Sequence, residues 1–443
     1  MKRLFIFLSA FLLLPSFSSA KEYPPQEMLL DLIFYHELSE FKLPLSKNPE
    51  YLVFRQNLPS SSDKKTMGEE ATCELFSSND TENPPQGDIS EESGSWEIDE
   101  NLLIEFFTQY IEPKINTEMQ PVRIFRNENG GIIFEGEARF GKILDREKAL
   151  AFVKKAITDG VTRIELPIKT IPPVITVEDE QLQEMGIKDL VSVGESDFSG
   201  STYARMQNIE VGAERFNGFL IPQGEVASFN DQLGPVGPAQ GYVPELVILG
   251  PKVDKEYGGG LCQVSSTAFR SALLAGVPIV ERYPHSFAVS YYEPWGTDAT
   301  IYPGSKDLKF ENDTEGALLM QTVMDRETKK LRFLLYGTKD ERRVKMFGPQ
   351  IGKHRPPLAP RHETSPNIPT GEVQRLSAAV PGFEAEWIRV VIPDIQQQNM
   401  MSSEEDSGFS PFFYRFLSQY KPRGDWTVTG SSSEQSPAEG STI

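Results

Sequence analysis

Cysteine and histidine are scarce in this chain: 443 residues hold two cysteines and four histidines. Two thiols exclude a disulfide scaffold and a cysteine-rich zinc site. Basic residues are in deficit, 44 Lys plus Arg against 64 Asp plus Glu, which leaves a net charge of −20. Nucleic-acid backbones and anionic membrane surfaces need clustered Lys and Arg, so neither is expected as a partner. Beyond the first residues no apolar run approaches the roughly 20 residues of a membrane helix, so no integral span is expected after the leader. HExxH, CxxC, the phosphate-binding GxxxxGK[ST] loop and GxGxxG are absent, so no metal and no cofactor is expected.

The length allows two to four domains of about 100–200 residues. Hydrophobic residues are 39% and charged residues 24%, which fits a mostly globular chain, and 34 Gly with 33 Pro predict many turns. Lys2 and Arg3 precede an apolar run from Leu4 to Leu14, then Pro15 and the small residues Ser18, Ser19 and Ala20. The run is too short to span a bilayer, so residues 1–20 read as a cleaved secretory leader, with a short uncleaved anchor as the alternative. The mature protein is thus expected outside the cytoplasm, in the periplasm, wall or medium.

Residues 21–78 read as an N-terminal segment with a helix over 25–39, a strand at 51–54 and no chemistry. From Asp80 to Glu100 there are eight acids and no base, with Pro84, Pro85 and Gly87 among them, so 79–100 reads as a solvated acidic linker. Residues 101–190 read as a small α+β module: a hairpin around 127–131, a helix capped by Asp145 and ended by Gly160, then a strand over 161–168. From 191 to 340 Gly, Ser, Tyr and Asn are dense between short elements. There the pattern predicts a helix over 205–217, a helix running to Ala275, strands at 278–283, 285–292, 299–302 and 308–310, and a closing hairpin of 317–324 with 330–336. Residues 341–430 read as a β-rich module and 431–443 as a disordered tail. The expected fold class is α+β and multi-domain, with a mixed helix and antiparallel-sheet catalytic-like domain between a small α+β domain and a β-rich tail.

One constellation could carry chemistry. Gly258, Gly259 and Gly260 precede Leu261 and Cys262, and Gly276 stops the run that follows. That places Cys262 in the first turn of a helix, where unpaired N–H groups and the positive dipole end favour a thiolate. The glycines allow close backbone approach and can aim N–H groups at an oxyanion, for which Gly259, Gly260 and Leu261 are candidates. His285 is the one histidine in the same module, 23 residues on, and is the candidate base. Asp298 is preferred to Glu281, Glu293 and Asp307 as the group orienting it. A nucleophilic helix followed by a base-bearing strand is the layout of papain-like and NlpC-type thiol hydrolases, by analogy only. Ser265 and Ser266 are alternative nucleophiles, although GxSxG is absent and an unassisted hydroxyl is poorer than a thiolate. Cys262 could instead be a small buried residue or the disulfide partner of Cys73.

The segments RMQNIEVGAERFNG, FNDQLGPVGPAQGY, GGGLCQVSSTAFRSALLAG, ERYPHS, SYYEPWGTDAT and DLKFENDT, in that order, resemble the VanW family of extracytoplasmic proteins. Residues 101–190 resemble the peptidoglycan-binding domain found before VanW domains, and the segments around 371–391 and 416–426 more weakly resemble the tail of longer members. The resemblance implies action on peptidoglycan stem peptides by a cysteine-dependent L,D-transpeptidase or L,D-carboxypeptidase, with Cys262 as nucleophile and His285 as the histidine of the PHS motif. Peptidoglycan is then the partner, and Arg205, Asn208, Tyr283, Ser265 and Ser266 are candidates for substrate binding. The HG and SxGC signature of YkuD-type transpeptidases is missing. Phe269-Arg270 replaces a Tyr-Asn pair common in the family, a change expected to alter the substrate groove. A non-catalytic wall-binding or assembly protein is the alternative function.

Overall fold

The computed structural model describes residues 24, 31–36, 39–56, 94–249, 252–340, 342–365, 368–392 and 412–430. The leader, Cys73, the acidic stretch up to residue 93 and the tail after 430 lie outside the described residues. The chain divides into two compact units, one of residues up to 118 with 141–171, the other of 119–140 with 172–443. The stretch 101–190 is therefore shared between them. The architecture is multi-domain α+β and rich in short strands, as expected from the sequence.

In the first unit, strands Asp31–His36 and Ser39–Pro44 form an antiparallel hairpin, and Arg163–Glu165 joins the first of them in parallel. The helix expected over 25–39 is not formed at 31–36. Leu32 and Phe34 alternate inward in a strand and are buried against Phe107, Leu103 and Val153, a period of two rather than 3.6. The acidic stretch ends earlier than its charge suggests, because Gly94–Ile98 pairs with Leu52–Gln56. Asp99 then caps helix Glu100–Phe106 by accepting the N–H groups of Asn101 and Leu102. Helix Arg146–Asp159 is capped by Asp145 and closed by Gly160 at φ 68°, as its sequence predicts.

In the second unit, a sheet of Asp189–Asp197, Lys330–Gly337, Leu318–Asp325 and Leu220–Ile221, in that order, carries the long helix Leu261–Ala275 on one face. Gly194 makes that packing possible. A Cβ there would sit 2.3 Å from the Thr267 carbonyl oxygen and 2.4 Å from the Ser271 nitrogen. Phe216, Phe269, Leu273, Phe333 and Leu335 fill the core around the helix. A C-terminal sheet, ordered Arg343–Arg355, Gly382–Ile392, Phe412–Tyr420, adds Trp387 and Phe416 to the same core.

Two expected strands are missing. Residues 285–292 form bends and a short turn, Ser290–Tyr292, and 299–301 pair with no strand. Their backbone groups are spent elsewhere: the His285 N–H on the Asp298 carboxylate, and the Ala299 N–H and carbonyl on Ser266 and Ser265. A ladder needs those same groups, so side chains have taken the place of a neighbouring strand.

Candidate active site

Cys262 stands at the second position of helix Leu261–Ala275, after Gly260 at φ 114°. A side chain at Gly260 would press on Arg205 and Ile209 at 3.1 Å, so both conformation and space demand glycine. The Leu261 N–H is turned into the Gly258 carbonyl and the Gln263 N–H into that of Gly260. Leu261 is thus no donor to a ligand. Among the described residues the N–H groups of Gly259, Gly260 and Cys262 make no hydrogen bond, as is usual for the first N–H groups of a helix; Gly259 is buried. Cys262 is a free thiol, half-buried, its Sγ 3.8 Å from the Ile301 carbonyl oxygen.

The site is organised by Asp298, whose side chain is fully buried. Oδ2 accepts the His285 backbone N–H at 2.7 Å and stands 2.5 Å from Nδ1. Oδ1 accepts the Arg282 guanidinium at 3.0 Å and the Tyr420 hydroxyl at 2.7 Å. An ionised carboxylate only accepts, so Nδ1 carries the proton toward Asp298. Nε2 is buried, has no hydrogen-bond partner of good geometry among the described residues, and is the nitrogen left to address Cys262. The Tyr292 ring lies flat on the imidazole, centroids 4.2 Å apart and planes 16° from parallel. One face of the imidazole is thereby closed.

The electrostatics favour an ion pair. Burial alone would raise the Cys262 thiol, but His285, followed by the Ile301 backbone contact and Arg205, outweighs it and holds the thiol below its ordinary range. Burial would lower His285, yet the hydrogen bond to Asp298 and the neighbouring thiolate push it up to about 9. Asp298, despite burial, is held far below the usual carboxylate range by His285 and Arg282. Both shifts favour the charged pair, an imidazolium beside a thiolate, with the Asp298 carboxylate behind it.

The other candidates fall into two groups. Tyr283 is 38% exposed and Arg205 is half-buried. Arg205 donates to Ser201 and Gln263 at 2.7 Å each and lies 4.2 Å over the Tyr291 ring. Among the described residues it has no carboxylate partner. Asn208, Ser265 and Ser266 are fully buried. Asn208 binds the Val243 backbone and the Gly259 carbonyl, supporting the glycine turn from beneath. Ser265 donates to the Ala299 carbonyl at 2.7 Å, and Ser266 accepts the Ala299 N–H at 2.9 Å. These two hydroxyls clamp the helix to the segment bearing Asp298, with no path to a ligand.

Phe269 and Arg270 also face inward. Arg270 donates to the carbonyls of Glu195, Tyr292, Glu293 and Thr297, fixing the segment between Tyr292 and Asp298. This pair shapes the support of the site, where the sequence suggested its groove. Arg282, Tyr292 and Gln263 were missed, although Arg282 lies in ERYPHS and Tyr292 in SYYEP. Tyr420 is 122 residues from Asp298, in a segment whose resemblance to the tail of longer members did not single it out.

With this geometry in place, comparison with known proteins is informative. The VanW like protein family model matches residues 204–334, which contain Arg205, Cys262, His285 and Asp298. The uncharacterized protein YoaR of Bacillus subtilis (strain 168) is 30% identical over 219 residues, 48% of this chain and 68% of the relative. The vancomycin B-type resistance protein VanW of Enterococcus faecalis (strain ATCC 700802 / V583) is 32% identical over 125 residues, 27% of this chain and 45% of that relative. No helix among the described residues is long and apolar enough to cross a membrane, and no group of three or more His, Cys, Asp or Glu is placed to hold a metal. The matched segment and the relative it spans for two thirds of its length make this chain a member of the VanW-like family.

Proposed function

We propose that this protein is an extracytoplasmic acyltransferase that uses Cys262 to form a thioester with peptidoglycan stem peptides. The observation that supports this most directly is the buried series Asp298, His285, Cys262, in which a carboxylate with no solvent contact sustains an imidazolium beside a thiol at a helix start. Nothing in the packing requires such an arrangement; an apolar residue at 262 would fill the space without the charges.

In the proposed reaction the thiolate attacks the carbonyl carbon of the stem's diamino-acid residue, and a C–S bond forms. The resulting oxyanion is met by the N–H groups of Gly259, Gly260 and Cys262. Collapse breaks the C–N bond; the imidazolium of His285 gives its proton to the departing amine of terminal D-Ala. Neutral His285 then takes a proton from an amine of a second stem as it attacks the thioester. The C–S bond breaks, the cross-link forms and the thiolate returns. Water as acceptor makes the same site an L,D-carboxypeptidase. Arg205, a cation without an acid partner among the described residues that also favours the Cys262 thiolate, is suited to the terminal carboxylate of the leaving residue. Residues 101–190 would hold the wall polymer.

The test is muropeptide analysis. Purified protein mixed with disaccharide-tetrapeptides is expected to yield tripeptide-linked dimers or free tripeptides, and Cys262→Ala neither. A folded wild type that leaves tetrapeptides untouched favours the binding or assembly role.

A further inference from the structure

The family-matched segment ends at residue 334, yet Asp298 is held from well beyond it. Tyr420 and Ser418 belong to strand Phe412–Tyr420 of the C-terminal sheet. The Tyr420 hydroxyl donates to Asp298 Oδ1 at 2.7 Å and accepts the Gly296 N–H at 2.8 Å. Ser418, fully buried, accepts from Arg282 at 2.9 Å, and the same Arg282 nitrogen donates to Asp298 at 3.0 Å. Trp387 of the adjacent strand donates to the Trp295 carbonyl at 2.8 Å. Phe416 meets Phe269 edge-on at 6.1 Å, and the Arg282 guanidinium sits 5.1 Å over Phe269 and 5.9 Å over Phe416. The segment 295–298 is therefore fastened to this sheet by a carbonyl, an N–H and the carboxylate itself.

We propose that the C-terminal sheet is part of the acyl-transfer site, with Tyr420 and Ser418 as positioning residues that fix the Asp298 carboxylate so that Oδ2 faces His285. The physical argument is directional. A carboxylate with only Arg282 on Oδ1 is free to swing toward that guanidinium, whose Nε–H is held by the Asp298 carbonyl and one of whose terminal nitrogens donates to Oδ1. Tyr420, bound at once to Oδ1 and to the backbone N–H two residues earlier, blocks the swing. With the carboxylate fixed, His285 stays protonated and Cys262 stays a thiolate. A sheet serving only as packing would need none of these polar bonds; Phe at 420 would fill the same volume.

This rests on Cys262 being an activated nucleophile, so the test separates the two ideas and needs no wall substrate. The rate of Cys262 alkylation by iodoacetamide is followed against pH in the full chain, for wild type, Tyr420→Phe and Ser418→Ala, with thermal midpoints as the folding control. Wild type is expected to react at mildly acidic pH. In Tyr420→Phe the acid limb is expected to move up by about one pH unit, a loss of about tenfold in rate at mildly acidic pH. Ser418→Ala moves it the same way by less. A folded Tyr420→Phe whose profile overlies wild type overturns the proposal. Should Tyr420→Phe not fold, an unshifted Ser418→Ala does the same. A wild type that titrates as an ordinary thiol overturns the nucleophile itself.

Discussion

Asp298 accepts four hydrogen bonds without any solvent, and its charge is set against Arg282, only 5% exposed, and His285. Removing that charge leaves a buried guanidinium unpaired. Asp298→Asn is therefore expected to cost about 3–5 kcal/mol of stability as well as most of the acylation rate, measured by denaturant unfolding alongside thioester formation. His285→Ala is the cleaner test of the base: it should abolish acylation as fully as Cys262→Ala while keeping a folded chain. Retained acylation would assign the base elsewhere. The titrations carry a sign. His285, raised to about 9, contributes stability that is complete below its unfolded value and is lost as pH rises through 9. Cys262, lowered, contributes stability that is complete above its unfolded value and is lost as pH falls through the folded one. In the window between the two unfolded values, about 6.5 and 8.5, the two dependences run in opposite directions and offset each other, so the pair changes stability less steeply there than either group alone. Thermal midpoints against pH check this, and a steep fall inside the window would contradict an ion pair. Cys262, His285 and Asp298 were legible as residue types in one module. Tyr420 was not, because a hydroxyl on a distant strand leaves no local pattern.

Helix ends and glycine stops were the most legible elements, since a cap is a local event: Asp145, Gly160 and Gly276 act where their neighbours say they should. The strands expected at 285–292 and 299–302 failed for the opposite reason. Their apolar alternation is real, but tertiary partners took the backbone groups that a ladder requires. The same bonds explain Ser265 and Ser266. Each alanine variant should cost about 1–3 kcal/mol by leaving an Ala299 backbone group unsatisfied, while acyl transfer to Cys262 survives in the folded fraction. Mass spectrometry of acylated wild type should place no adduct on either serine; one found there would remove Cys262 from the mechanism. Gly194→Ala should destabilise by at least about 1–3 kcal/mol, because the helix carrying Cys262 must lift off its sheet to admit one methyl. An unchanged unfolding midpoint would mean that the helix lies farther from the sheet.

At the scale of the whole chain, composition made nucleic acid and cysteine-bound metal unexpected, and the order of predicted elements pointed to an α+β chain of several modules, but not to how its segments divide. Residues 119–140 group with the unit that contains the thiol, while 141–171 return to the first unit. Such an exchange depends on strand partners far apart in sequence, and alternation alone does not name partners. The C-terminal sheet posed the same difficulty. One of its strands was readable at 384–390, but its place beside Asp298 was not; the strand read at 426–429 lies in a separate sheet with Arg361–Ser365 and Val373–Ser377. Everything in the account converges on Cys262 as an acyl acceptor, and this is open to direct observation. The protein is mixed with a disaccharide-tetrapeptide, quenched in acid and digested, and the Cys262 peptide is weighed. The account predicts a thioester adduct equal to the stem without its terminal D-Ala, released by hydroxylamine and absent in Cys262→Ala and His285→Ala. A folded wild type with an unmodified Cys262, in a reaction where tetrapeptide is nonetheless consumed, would contradict it.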